Sequence, residues 1–354
     1  MRLTSRELIE DPVGRYPQAT VAGFDPTCGD LPRRRLDEAL TREYLQRLAA
    51  AGAPAVLVAS STGQGHLRSV VELEAWFRCA AAADIGNMLP LALLRPEDGM
   101  DANTRLMVLL AELGYPVVFL RPGTDLPANA DDRQVSASLI PLVARAAELG
   151  LAVGLYSVSD VSGLPLTPDA VAAVLAGPGG DHVVAVKVTE TDYAASTARF
   201  LAHPALQRLK IVQGWDPHLQ RALRDGPRFD TWGRQRAGIT SGMMALAVYQ
   251  YLHLLQAAAA GDWEEVAQAT LATDRLFHAM QDDPRRFADL QRAKYIMGLG
   301  HPFTGQVTGA QAEQVLGALQ ELPRAADRRR LARSLDLMGQ GPFHGRLSAL
   351  AEGV

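Results

Sequence analysis

Short apolar runs alternate with longer amphipathic stretches along most of the chain. The runs Thr20–Phe24, Ala55–Ser61, Met88–Leu94, Pro116–Leu120, Ala152–Val158, Val183–Val188, Lys210–Gly214 and Ala237–Ser241 are brief and often rich in Val and Leu. Strands buried on both faces read this way. Between them, Leu36–Ala51, Val70–Ala83, Asp101–Leu113, Asp132–Leu149, Pro168–Leu175, Tyr193–Ala202, Asp216–Leu223 and Met244–Ala260 read as helices. Gly52, Gly114 and Gly150 each stand between a helix and the next strand, where a C-cap glycine belongs. Eight strand–helix units over about 240 residues predict an α/β fold closed as a (β/α)8 TIM barrel. The competing open, doubly wound sheet usually carries a glycine-rich phosphate turn after its first strand. Phe24-Asp25-Pro26-Thr27-Cys28-Gly29-Asp30 stands there instead.

Past Gly261 the pattern turns wholly helical. Asp262-Trp263-Glu264-Glu265 reads as a capped helix start, and further helices are expected near Pro284–Gly298, Gly309–Leu322 and Arg324–Gly339. The expected division is a barrel over 1–260, including a short N-terminal segment, and a C-terminal helical extension over 261–354 packed on it.

Composition narrows the function little. The 354 residues are 48% hydrophobic and 21% charged, with a net charge of -4, ordinary for a globular protein. The arginines are scattered, so no nucleic-acid partner is expected. Two cysteines, Cys28 and Cys79, make neither a disulfide framework nor a metal spacing. No apolar run reaches the roughly 18 residues of a membrane span. The N-terminus is too polar for a signal peptide, so a cytoplasmic protein without membrane contact is expected.

Only three of the 35 Lys+Arg residues are lysines, and Lys187 lies in the apolar run Val183-Val184-Ala185-Val186-Lys187-Val188. An ammonium among valines costs free energy unless it is paired or neutral. A dry amine sheds its proton more readily than one in water, and a free amine is what Schiff-base chemistry on a carbonyl compound requires. The plain alternative is a lysine reaching from a strand end to water.

In a barrel, reactive groups sit at the C-terminal ends of strands. Strand two ends in Ser60-Ser61-Thr62-Gly63-Gln64. Strands three and four both end Leu-Arg-Pro, at Arg95 and Arg121. Strand five ends Leu155-Tyr156-Ser157, and strand six holds Lys187 and Thr189. Strand seven ends Gln213-Gly214-Trp215-Asp216, and strand eight Thr240-Ser241. Paired hydroxyls with backbone N–H groups at a glycine-containing turn, as at Ser61-Thr62-Gly63, suit a carboxylate. A phenol such as that of Tyr156 can move protons when a cation or hydrogen bonds are near. Arg95 and Arg121 could hold a second carboxylate or a phosphate, or could pair with Glu97, Asp98 or Asp125 close by.

This set resembles the dihydrodipicolinate synthase / N-acetylneuraminate lyase family of class I aldolases over about residues 17–280. The carriers are Ser60-Ser61-Thr62-Gly63-Gln64 on strand two, Leu155-Tyr156-Ser157-Val158-Ser159 with Gly163 on strand five, and Lys187 on strand six. The resemblance implies a barrel lyase that cleaves, condenses or dehydrates a pyruvate-type 2-oxo acid, with no cofactor and no metal. It implies Lys187 as the Schiff-base lysine, Tyr156 as the acid–base, and Ser61 and Thr62 as carboxylate ligands, Ser61 also relaying protons. Thr189, Gly214, Asp216 and Thr240 would line the site for the rest of the substrate. A homodimer or homotetramer is implied as well. Departures point away from a dihydrodipicolinate synthase proper. The glycine-rich strand-three motif is absent, Gln64 replaces a glutamate, Leu120-Arg121-Pro122 replaces a tyrosine motif, and Val161 replaces an arginine. Thr189 and Asp216 match positions found in sugar-acid members. Dehydration of a sugar acid on the same lysine, or a non-catalytic barrel that binds a small acid, remain open alternatives.

Overall fold

The computed structural model describes residues 2–30, 34–281 and 290–353. Its parallel strands close into a barrel in chain order: β1 (Ala19–Ala22), β2 (Ala55–Val58), β3 (Leu89–Leu93), β4 (Val117–Leu120), β5 (Ala152–Ser157), β6 (Val183–Val188), β7 (Lys210–Gln213) and β8 (Ala237–Ser241), which returns to β1. Every residue of these strands is buried, which accounts for their nearly unbroken apolar runs. The chain forms two compact units, Met1–Thr20 with Leu89–Ser241 and Val21–Met88 with Gly242–Val354.

In the first unit β3 to β8 pair in sequence, β5 and β6 with a register shift between Val153 and Gly154. Asp131 and Gln134 form a capping box on the helix Asp132–Glu148, and Thr167 caps Pro168–Ala176. Two helices not expected from the sequence, Ser5–Glu10 and Pro12–Arg15, precede β1. The helix expected over Tyr193–Ala202 begins only at Thr197. Tyr193 serves tertiary packing instead: its hydroxyl donates to Asp225 at 2.8 Å and its ring faces the Arg221 guanidinium at 4.2 Å.

In the second unit β1 pairs with β2 through Val21↔Val56 and Ala22↔Leu57. The helix expected from Leu36 starts at Glu38 under an Asp37 cap, because Arg35–Leu36 pairs antiparallel with Thr27–Cys28. It ends at Gly52, whose φ of 97° is the left-handed conformation that glycine adopts without strain. The C-terminal helices Val248–Ala259, Trp263–His278 and Ala325–Leu335 share a polar network. Buried Asp327 accepts from Gln250 at 2.9 Å and from Arg330 at 2.6 Å, while Arg324 donates to Glu265 at 2.5 and 2.8 Å. The helix expected over Pro284–Gly298 lies partly outside the described residues, and Gln291–Ile296 within it is helical. Gly309–Gln320 is helical as expected, and the helix His344–Glu352 was not foreseen.

All three lysines are buried: Lys187, Lys210 and Lys294 are 5%, 2% and 0% exposed. Lys210 opens β7, where Nζ donates to Gln18 Oε1 at 3.0 Å and to the Gln235 carbonyl at 2.6 Å. Burial, helped by the Arg234 charge and opposed by Asp11, pushes its pKa down from 10.5 to about 8. Below about 8 both folded and unfolded chains carry the proton, and the desolvation cost opposes folding in full. Between about 8 and 10.5 the unfolded chain binds more protons, so stability rises with pH. At about 1.4 kcal/mol per pKa unit the rise is roughly 3 kcal/mol. In urea unfolding from pH 7.5 to 10.5, Lys210→Met is expected to lack this contribution, the wild-type-minus-variant difference changing by that amount.

Candidate active site at the strand ends

The register of β5 and β6 sets Tyr156 beside Lys187, with Lys187 in turn beside Val212 of β7. Residues in register on parallel strands share a face, so amine and phenol ring leave the sheet together. Lys187 Nζ lies 3.9 Å from the centroid of the Tyr156 ring, and both residues are buried. Among the described residues no carboxylate stands within ion-pair distance of this amine. The ring face holds it through a cation–π contact, worth about 0.5–2 kcal/mol.

Gly214 gives the lysine room. A Cβ there would sit 2.1 Å from Thr189 Oγ1 and 3.0 Å from Lys187 Cε. Among the described residues the Thr189 and Thr240 hydroxyls are buried without a partner, as is that of Ser61 in the second unit. Native proteins rarely leave buried hydroxyls unmatched, so such groups call for an explanation such as a polar ligand or an ordered water. Asp216, 8% exposed, accepts a short hydrogen bond from Ser241 Oγ. Gln213 is braced by Thr197 Oγ1 at 2.5 Å, and donates to the Trp215 carbonyl at 3.2 Å.

The turn after β2 carries Ser61, Thr62 and Gly63. The strand stops at Val58, three residues before the expected end, because Ala59 takes φ 60°. Ser60 Oγ donates to the Gly23 carbonyl at 3.1 Å and accepts from the Gly63 amide at 3.3 Å, shaping the turn. Arg95 and Arg121, for which ligand binding and local pairing were both open, are paired. Arg95 grips Asp98 with two bonds of 2.8 and 2.9 Å. Arg121 donates to Glu97 in a short contact and to the Pro122 carbonyl at 3.0 Å.

Glu190 and its serine partners were missed by the sequence reading. Glu190 accepts from Ser157 Oγ at 2.7 Å, from the Ser159 amide at 2.9 Å and from Ser159 Oγ at 2.5 Å. It thereby ties the end of β5, one residue past Tyr156, to the end of β6, three past Lys187. The signal available was the strand-end rule that singled out Thr189, extended by one position. Ser241, the donor to Asp216, was missed likewise.

The sequence matches no protein-family model and no curated protein. Solved structures share its fold. YagE, a prophage protein from E. coli K12 belonging to the dihydrodipicolinic acid synthase family and solved with pyruvate, aligns with TM-score 0.70 at 18% identity, covering 87% of this chain and 99% of that one. The sialic acid aldolase of Ruminococcus gnavus gives 0.70 at 16%, over 90% and 98%. A variant 2-keto-3-deoxygluconate aldolase of Sulfolobus solfataricus gives 0.69 at 14%, over 86% and 95%. At such identities the likeness establishes the fold, a (β/α)8 barrel of the kind these proteins share.

Glu190→Ala removes three hydrogen bonds to a carboxylate and is expected to cost about 2–4 kcal/mol in denaturant unfolding. Hydrogen exchange at the Ser159 amide should accelerate alongside.

Proposed function

We propose that this chain is a class I lyase acting on a pyruvate-type 2-oxo acid through a Schiff base on Lys187. One observation carries the reading: a buried strand-end amine that has no ion pair among the described residues and lies against a tyrosine ring. The unpartnered hydroxyls of Ser61, Thr189 and Thr240 support it, as does the fold shared with aldolases.

In this reading Lys187 Nζ attacks C2 of the 2-oxo acid as the free amine. The carbonyl oxygen takes a first proton from the attacking nitrogen and a second from the Tyr156 phenol, and leaves as water, forming the C2–N iminium. In the cleavage direction a base, Tyr156 as phenolate, removes the proton of the C4 hydroxyl. The C3–C4 bond breaks, its electron pair moves into the enamine with the iminium as sink, and an aldehyde departs. Protonation of C3 and hydrolysis of the iminium release pyruvate and the lysine. Condensation runs the same steps backward. Ser61 and Thr62 take the substrate carboxylate, and Thr189, Asp216 and Thr240 take hydroxyls of the acyl chain. Arg95 and Arg121, already paired with Asp98 and Glu97, receive no substrate role.

Incubation with pyruvate and borohydride is expected to yield a reduced pyruvyl adduct, which peptide mass mapping assigns to Lys187 among only three candidate lysines. Lys187→Ala should abolish the adduct and lower any 2-oxo acid lyase activity by at least about 10³-fold. A wild-type protein without adduct would sink the proposal.

A further inference from the structure

The turn that carries Ser61 and Thr62 is held in an unfavourable backbone conformation by a remote part of the same unit. Among the described residues, the non-glycine positions with positive φ are Ala59 at 60° and Gln64 at 55°, and they bracket that turn. Such conformations persist only where the surroundings over-determine them.

The surroundings here are residues 291–305. Gln64 is fully buried and both ends of its amide are used: Nε2 donates to Thr304 Oγ1 at 3.1 Å, and Oε1 accepts from the Phe303 amide at 2.5 Å. Gln291 Nε2 donates to the Thr62 carbonyl at 2.7 Å. The Phe303 ring lies 4.4 Å from the Arg68 guanidinium. Arg68 holds one oxygen of buried Asp25 at 2.5 Å, and Lys294 Nζ holds the other at 2.7 Å. Arg34 donates to the Pro302 and Gly305 carbonyls in short contacts. The segment is thus fastened to the loops after β1 and β2 before it reaches Gln64.

We infer that Gln64 and the segment Phe303–Thr304 form a latch that sets the carboxylate-binding hydroxyls of Ser61 and Thr62. Gln64 is a positioning residue that does not touch substrate. Its amide bridges the turn to the C-terminal segment, so the left-handed residue survives and Ser61 Oγ has no partner among the described residues. The latch acts on capture of the carboxylate rather than on attack by the amine. This rests on the reading of Lys187 and Ser61-Thr62 given above. A glutamate at position 64 could accept from both the Phe303 amide and the Thr304 hydroxyl, so it preserves the latch, whereas leucine cannot.

The test measures borohydride trapping of pyruvate against pyruvate concentration in the full chain, for wild type, Gln64→Leu, Gln64→Glu and Thr304→Val. Gln64→Leu is expected to raise half-saturation by about tenfold or more, the loss of one well-placed charge-assisted hydrogen bond to the carboxylate. Thr304→Val should raise it a few-fold. The limiting trapping rate should stay within about twofold, and Gln64→Glu should stay near wild type. Methyl pyruvate, which lacks the carboxylate charge, should be insensitive to all three changes. Thr304 is exposed, so its variant keeps the test sound if Gln64→Leu fails to fold. Unchanged half-saturation in folded variants, or a fall in limiting rate alone, overturns the latch while leaving the Schiff base standing. Absence of a wild-type adduct overturns both.

Discussion

An amine enclosed by apolar strands must be offset by something, and at Lys187 the offset is the face of a tyrosine ring. The other two lysines solve the same desolvation problem differently. Lys294 sits against the Asp25 carboxylate, and Lys210 against neutral oxygen acceptors. A buried ion pair is costly to break, because the partner charge is left stranded. A ring face holds an amine only weakly by comparison. Of the three buried nitrogens, Lys187 therefore loses least on leaving its partner for a carbon–nitrogen bond. The proposed chemistry, and every role assigned around it, depends on that weak hold.

The strand ends are built around this requirement. Register brings phenol and amine to one face, and the absent side chain at Gly214 leaves space for the lysine arm. Glu190 ties the two strand ends together just beyond Tyr156 and Lys187. The arginines just past β3 and β4 pair with the acidic turn Glu97-Asp98. Both guanidinium groups at that part of the rim thus have carboxylate partners within the protein. In the second unit, left-handed residues bound the serine–threonine turn, and buried charge pairs fasten the segment that restrains it. Strain and restraint there belong to one arrangement, as is common where backbone is shaped for a ligand.

The strand–helix alternation, the barrel and the order of the strand-end residues were all legible in the chain, because each follows from local patterning. Apolar runs of strand length, caps such as Asp131 with Gln134, and glycine after a helix are neighbour effects read within a few residues. The same locality explains why an isolated lysine among valines pointed to β6. The misses are non-local. Arg35–Leu36 looks helical until Thr27–Cys28 pairs with it, and Tyr193 looks like a helix residue until Asp225 claims its hydroxyl. Glu190 is one more acidic residue until Ser157 and Ser159, more than thirty positions earlier, converge on it.

The sequence by itself determined which elements form and which residue types stand at the strand ends, since backbone propensity and burial patterning act over a few residues. Only the tertiary structure decided what each polar group meets: a ring for Lys187, carboxylates for Arg95 and Arg121, and the remote Phe303 and Thr304 for Gln64. The physical reason is that a buried polar group is settled by whichever partner packing brings within about 3 Å, and sequence separation places almost no limit on that choice.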